Sequence, residues 1–191
     1  MKKLTFILTL LILPVSVFAQ DTWVEDPAHS KLGFTVTHLG IADVPGYFGD
    51  YDVTIEASKE DFSDAQVELT VQTASIDTRV EKRNNHLKSP DFFNVEKYPT
   101  MTFKSMDIKE VGDDKYELTG DLTLHGVTKP VTVTMIYRGN IQNEMTQGNL
   151  KAGIQITGII DRSEFDLGNG FPPPMISNEV RIKADGEFMQ Q

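Results

Sequence analysis

The amino-acid sequence predicts an all-β fold, an eight-stranded antiparallel barrel with one or two short helices. Eight stretches alternate apolar and polar residues with a period of two, which gives each strand one buried face and one wet face. Turn-forming groups separate them, at Pro45-Gly46, Gly112-Asp113-Asp114, Gly139-Asn140, Gly148-Asn149 and Asn169-Gly170. Little helical periodicity intervenes. Closing such a sheet removes the edges that would otherwise pair with other chains.

The chain opens with a segment that belongs to no strand. Lys2 and Lys3 precede the apolar run LTFILTLLILPVSVF, and Val17 and Ala19 suit cleavage before Gln20. This is the pattern of a secretory signal peptide over residues 1–19. The run is short for a membrane span and contains Pro14. The expected mature chain, residues 20–191, is exported to the periplasm, or secreted where the host lacks an outer membrane. It is not expected to stay inserted in a membrane. About 170 residues suit a single domain with a real core.

The strands follow in order. Residues 31–38 place Leu32, Phe34 and Val36 on one face. Residues 51–57 do the same with Val53, Ile55 and Ala57, and residues 65–73 with Ala65, Val67, Leu69 and Val71. Residues 100–105 offer Met101 and Phe103. A hairpin over 116–124 and 131–138 offers Leu122 and Leu124, then Val131, Val133 and Met135. Residues 150–158 offer Ala152, Ile154 and Ile156, and residues 179–188 offer Val180, Ile182, Ala184 and Phe188. One insert, residues 78–99, breaks the pattern. Val80, Asn84 and Leu87 stand at helical spacing. Ser89-Pro90-Asp91 predicts a helix start, with a capping hydroxyl, a proline at the first helical position and an acid near the positive end of the dipole.

Composition excludes several functions. Without Lys2 and Lys3, 16 basic residues face 28 acidic ones, a net charge of −12. Such a surface repels phosphate backbones, so nucleic acid is not an expected partner. There is no Cys, and therefore no thiol nucleophile or thiolate metal site. The four His, at 29, 38, 86 and 125, show no close metal-ligand spacing. No GxSxG, P-loop or GxGxxG occurs, so no catalytic residue, metal or cofactor is expected.

An eight-stranded barrel can be filled by its side chains or can hold one small ligand, and alternation does not choose between them. The inward residues are mostly medium or small. Met101, Met106, Met135 and Met175 offer soft surfaces for a flexible apolar guest. Arg162 stands out as a cation in an apolar region. It needs either an acid, such as Glu164 or Glu179, or an anionic ligand group.

Several local combinations occur in a familiar order: DPAHSKLGFTVTHLGIADVPGYFGDY, SIDT, NNHLKSPDFFNVEKYPTMTF, GDLTLHGVTKPVTV and DRSEF. Together they resemble the YceI-like family over about residues 22–188. The resemblance implies a lipocalin-like barrel whose apolar tunnel takes a long isoprenoid lipid, a polyprenyl phosphate or a quinone-like molecule, and it suggests a homodimer. Asp166 stands where family members usually carry Gly. Alternation and family positions together define the candidate ligand-binding set: Phe34, Val36, His38, Phe48, Phe92, Phe93, Met101, Phe103, Leu122, Leu124, Val133, Met135, Ile154, Ile156 and Arg162. The expected function is non-catalytic binding, sequestration or transport of that lipid. The alternatives are an enzyme acting on such a lipid, and a stress-related protein-interaction module on the barrel rim.

Overall fold

The computed structural model describes residues 20–191; the signal peptide expected over 1–19 lies outside them. The elements are β1 (Asp21–Glu25), β2 (Lys31–His38), β3 (Ala42–Phe48), β4 (Tyr51–Ala57), β5 (Gln66–Gln72), β6 (Ile76–Asp77), α1 (Glu81–Lys88), β7 (Thr100–Gly112), β8 (Lys115–Leu124), β9 (Val127–Ile141), β10 (Lys151–Asp161) and β11 (Glu179–Gln190). All pairings are antiparallel. The order β1-β4-β5-β7-β8-β9-β10-β11 closes on itself through the pairing of β1 with β11. This is the closed eight-stranded ring the alternation predicts.

Three strands, β1, β3 and the two-residue β6, had no alternation signal strong enough to be recognised. β1 closes the ring at one end, pairing Trp23 with Gln190 and with Ile55. β2 then continues along β11 above the break at residues 26–30, and β3 pairs with β2. The Pro45-Gly46 turn is corrected: both residues lie within β3. Pro45 is tolerated because β3 pairs on its other side only at Tyr47 and Phe48. Gly46 is required because a Cβ there would lie 2.2 Å from the Phe34 ring, which crosses it. The chain turns instead at Leu39 and Gly40, with φ of 52° and 70°. Leucine in that region is uncommon, so residue type carries no turn signal there.

The helix boundary is also corrected. α1 covers the Asn84 and Leu87 positions, but Ser89-Pro90-Asp91 ends it rather than starting another. Ser89 is extended, with φ −72° and ψ 169°, because a residue before proline avoids the helical region. The next turns wind onto α1 through Phe93 N–H to the Leu87 carbonyl and Val95 N–H to the Lys88 carbonyl. Met106, at a register shift in β7, is 59% exposed and takes no part in the interior.

Two packed clusters flank the interior. One centres on Trp23, Phe62, Tyr116 and Met135. Its rings pack at a tilt, Trp23 against Phe62 at 4.9 Å and Phe62 against Tyr137 at 5.2 Å, and Tyr116 donates to the Asp61 carbonyl at 2.8 Å. The other centres on Phe48, Phe93, Leu124, Phe165 and Leu167. It anchors the 78–99 insert and the loop before β11.

Candidate functional site

Between the two clusters the barrel is hollow. The cavity measures about 560 Å³, within the usual range for small-molecule sites. Leu32, Val53, Leu69, Leu118, Val131, Ile160, Ile182 and Ala184 contribute to a wall that is almost wholly apolar. All fifteen candidate residues, from Phe34 to Arg162, line it. Leu122, Leu124, Val133 and Met135 of the β8–β9 hairpin therefore face a hole.

At one end the cavity runs into the cluster of Trp23 and Phe62 through Ile55, Phe103 and Phe188, which belong to both. At the other, the lining includes exposed His38, His86 and Met175, so this end is the mouth. Its rim is aromatic. Phe92 stacks on Phe171 at 4.8 Å, and His86 stands edge-on to both, at 5.1 and 5.2 Å. Phe48 meets Phe34 and Phe93 at 5.7 Å each. Arg83 of α1 also lines the cavity. It donates to the Thr78 hydroxyl at 2.7 Å and the Thr78 carbonyl at 2.8 Å, which fixes the guanidinium and leaves its Nη1 uncommitted among the described residues.

The expectations for Arg162 are corrected. It lines the cavity but is only 3% exposed. Its Nε donates to the Ser177 carbonyl. Nη1 donates to the carbonyls of Leu167 and Gly168, and Nη2 to those of Phe171 and Ile176, all at 2.6–3.1 Å. An arginine has five N–H donors, so none is left for an acid or a ligand. Burial pulls its pKa below the ordinary arginine value, and the nearby Asp161 opposes that shift. Arg162 is the hub of the 166–177 loop. Asp166 adopts φ 54°, a left-handed conformation that Asp tolerates better than most side chains. His125 also takes a structural place. It lies 4.6 Å from the Tyr98 ring, with Nδ1 3.3 Å from the Phe165 carbonyl.

The structure adds one polar feature to the wall that the sequence reading missed. Glu25 and Tyr51 line the cavity. Burial first, and then the charge of Asp52, push the Glu25 carboxyl up to about 7, against a lowering hydrogen bond from Tyr51. Burial and Glu25 push the Tyr51 phenol up to about 12. A carboxyl that holds its proton more tightly when folded makes the native state bind more protons between pH about 4.5 and about 7, so stability falls as pH rises through that window. Glu25→Gln removes this loss. We expect the variant to match wild type near pH 5 and to exceed it by about 1–3 kcal/mol near pH 8, read from urea titrations at both pH values. An equal difference at both would show that Glu25 ionises freely.

A second titratable cluster lies outside the cavity. Ligand atoms of Asp26, His29 and Glu187 fall within 4.8 Å of one another, as for a metal. The Lys151 ammonium already sits there, 2.7 Å from Asp26 and 3.2 Å from Glu187. The Lys151 hydrogen bond, followed by that of His29, holds the Asp26 carboxyl well below the usual carboxylate range. The cluster is an ion-pair network that ties the β1–β2 break to β10 and β11.

Comparison with known proteins bears on this architecture. The YceI-like domain matches residues 23–188. Protein YceI of Escherichia coli is 36% identical over 167 residues, covering 87% of this chain and 85% of its own. The crystal structure of a Campylobacter jejuni YceI protein superposes with a TM-score of 0.73 at 29% identity, over 81% of this chain and 90% of that one. A polyisoprenoid binding domain from Saccharophagus degradans shares the fold, with a TM-score of 0.67 at 15% identity, over 89% of this chain and 98% of that one.

Proposed function

Because the chain belongs to the YceI-like domain family, we propose that it binds and carries a long isoprenoid lipid in the barrel cavity without chemically altering it. The observation that carries this reading is the cavity: about 560 Å³, with an almost wholly apolar wall and an aromatic rim at His86, Phe92 and Phe171. Each CH₂-sized group buried there contributes roughly 0.8 kcal/mol, so a long unsaturated chain gains affinity along its whole length. The fold shared with a domain described as polyisoprenoid-binding supports the same ligand class. A phosphorylated lipid enters apolar end first, and its charged head remains at the mouth. Export through the expected N-terminal leader would place the carrier in the periplasm, or outside the cell where the host lacks an outer membrane.

The test is organic extraction of protein purified from its native host, followed by mass spectrometry. An isoprenoid in stoichiometric amount is expected, and recovery of only bulk phospholipid would overturn the reading. A phosphorylated head would meet Arg83, whose guanidinium is oriented by Thr78. Charge-assisted hydrogen bonds contribute about 1.5–3 kcal/mol, so Arg83→Gln should weaken a prenyl phosphate about tenfold or more, with little change for the matching alcohol. Equal weakening of both, measured by displacement of a fluorescent lipid, would remove Arg83 from the head site.

A further inference from the structure

We propose that the wall of the cavity holds a hydroxyl subsite, formed by Glu25 and Tyr51, that takes the alcohol group of a neutral apolar ligand. This rests on the reading of the cavity as a lipid site and adds a recognition point away from the mouth.

Alternation turns both residues inward. Glu25 shares its face of β1 with buried Trp23, and Tyr51 shares its face of β4 with Val53 and Ile55. Their neighbours on the wall are Phe188, paired across from Glu25, and Gly186, which presents no side chain. Glu25 Oε2 is buried and has no hydrogen-bond partner among the described residues. A buried acceptor left unpaired is destabilising, so the site favours an occupant that satisfies it.

The surrounding charges narrow the occupant. On β4, Asp52 adds a second negative charge near Glu25. Lys31 of β2 lines the cavity, but its ammonium stands 4.0 Å from Asp185. Lys151 of β10 is engaged by Asp26 and Glu187. Among the described residues no cation is paired with Glu25, so a phosphate is repelled from this point. A pure hydrocarbon leaves Oε2 unpaired. A hydroxyl fits either state of the carboxyl: it donates to the carboxylate and accepts from the acid. An ether or carbonyl oxygen can only accept, so it fits the acid alone. The upward shift of the carboxyl to about 7 places the change of state within an accessible pH range.

The experiment measures displacement of bound N-phenylnaphthylamine from the full protein by farnesol and by farnesyl methyl ether, at about pH 6 and about pH 8, on either side of the Glu25 midpoint. In wild type the preference for alcohol over ether should rise about tenfold from the lower to the higher pH. Glu25→Leu should show one low ratio at both pH values, set by the extra methyl group. Glu25→Gln, whose amide both donates and accepts, should lose the pH dependence and guards against a folding failure of the Leu variant. A wild-type ratio equal to that of Glu25→Leu at both pH values would mean that only water occupies the notch, and would overturn the proposal. If neither ligand displaces the probe from any variant, the lipid cavity itself is wrong and the subsite falls with it.

Discussion

Arg162→Ala is expected to destabilise the protein by about 3–5 kcal/mol and to release the loop that forms one side of the mouth. The guanidinium donates to five backbone carbonyls, those of Leu167, Gly168, Phe171, Ile176 and Ser177, of which the Gly168 carbonyl also accepts from the Phe171 N–H. Removing it leaves those acceptors buried or poorly solvated. The consequences extend to the cavity, because Leu167 is packed in the cluster of Phe48, Phe93 and Phe165, and Phe171 stacks on Phe92. Arg162→Lys should recover only part of the loss, since one ammonium with three donors cannot reach five carbonyls arranged around a planar fork. Urea denaturation gives the energy, and hydrogen exchange at residues 167–177 locates it. A loss below about 1 kcal/mol, with exchange unchanged, would show that the loop holds itself together without Arg162.

Val133→Trp is expected to abolish lipid uptake while leaving the fold intact. Val133 lines the cavity and lies beside inward-facing Gly158, where a Cβ would be 2.8 Å from it, so an indole placed here projects into space that no side chain fills. In a filled core the same change would overpack and cost about 1–3 kcal/mol. In this barrel the lipid-free variant should melt within a few degrees of wild type, while lipid recovered per protein falls at least tenfold. Leu124, 6% exposed within the cluster of Phe48, Phe93 and Phe165, is the contrasting position: Trp there has packed neighbours and should cost stability. A large drop in melting temperature for lipid-free Val133→Trp, or unchanged lipid recovery, would mean that the cavity is not the binding site.

Much of the barrel is legible in the chain because alternation records a local fact, namely which way each side chain points from a strand. Phe34, Val36, Met101, Phe103, Leu122, Val133, Ile154 and Ile156 all face the interior for that reason. Where the local signal is weak or carries two meanings, the reading fails. Pro45-Gly46 reads as a turn, yet Gly46 is there for the Phe34 ring on the neighbouring strand. Ser89-Pro90 reads as a helix start, yet it ends α1, because the same dipeptide is compatible with both and only the preceding turn decides.

The sequence by itself therefore determined the strand faces, the closed all-β class and the acidic surface that disfavours nucleic acid. Only the tertiary structure decided whether the barrel is hollow. That depends on how far inward side chains reach across a ring whose width is set by strand number and tilt, which no single strand encodes. It also decided the fates of two charged residues. Arg162 is consumed by carbonyls of a loop, and backbone carbonyls are the same at every residue, so no residue type announces them. Glu25 faces the cavity because β1 joins the ring between β4 and β11, neighbours that are distant in the chain from each other. Its burial, and hence its altered acidity, arises only when the ring closes.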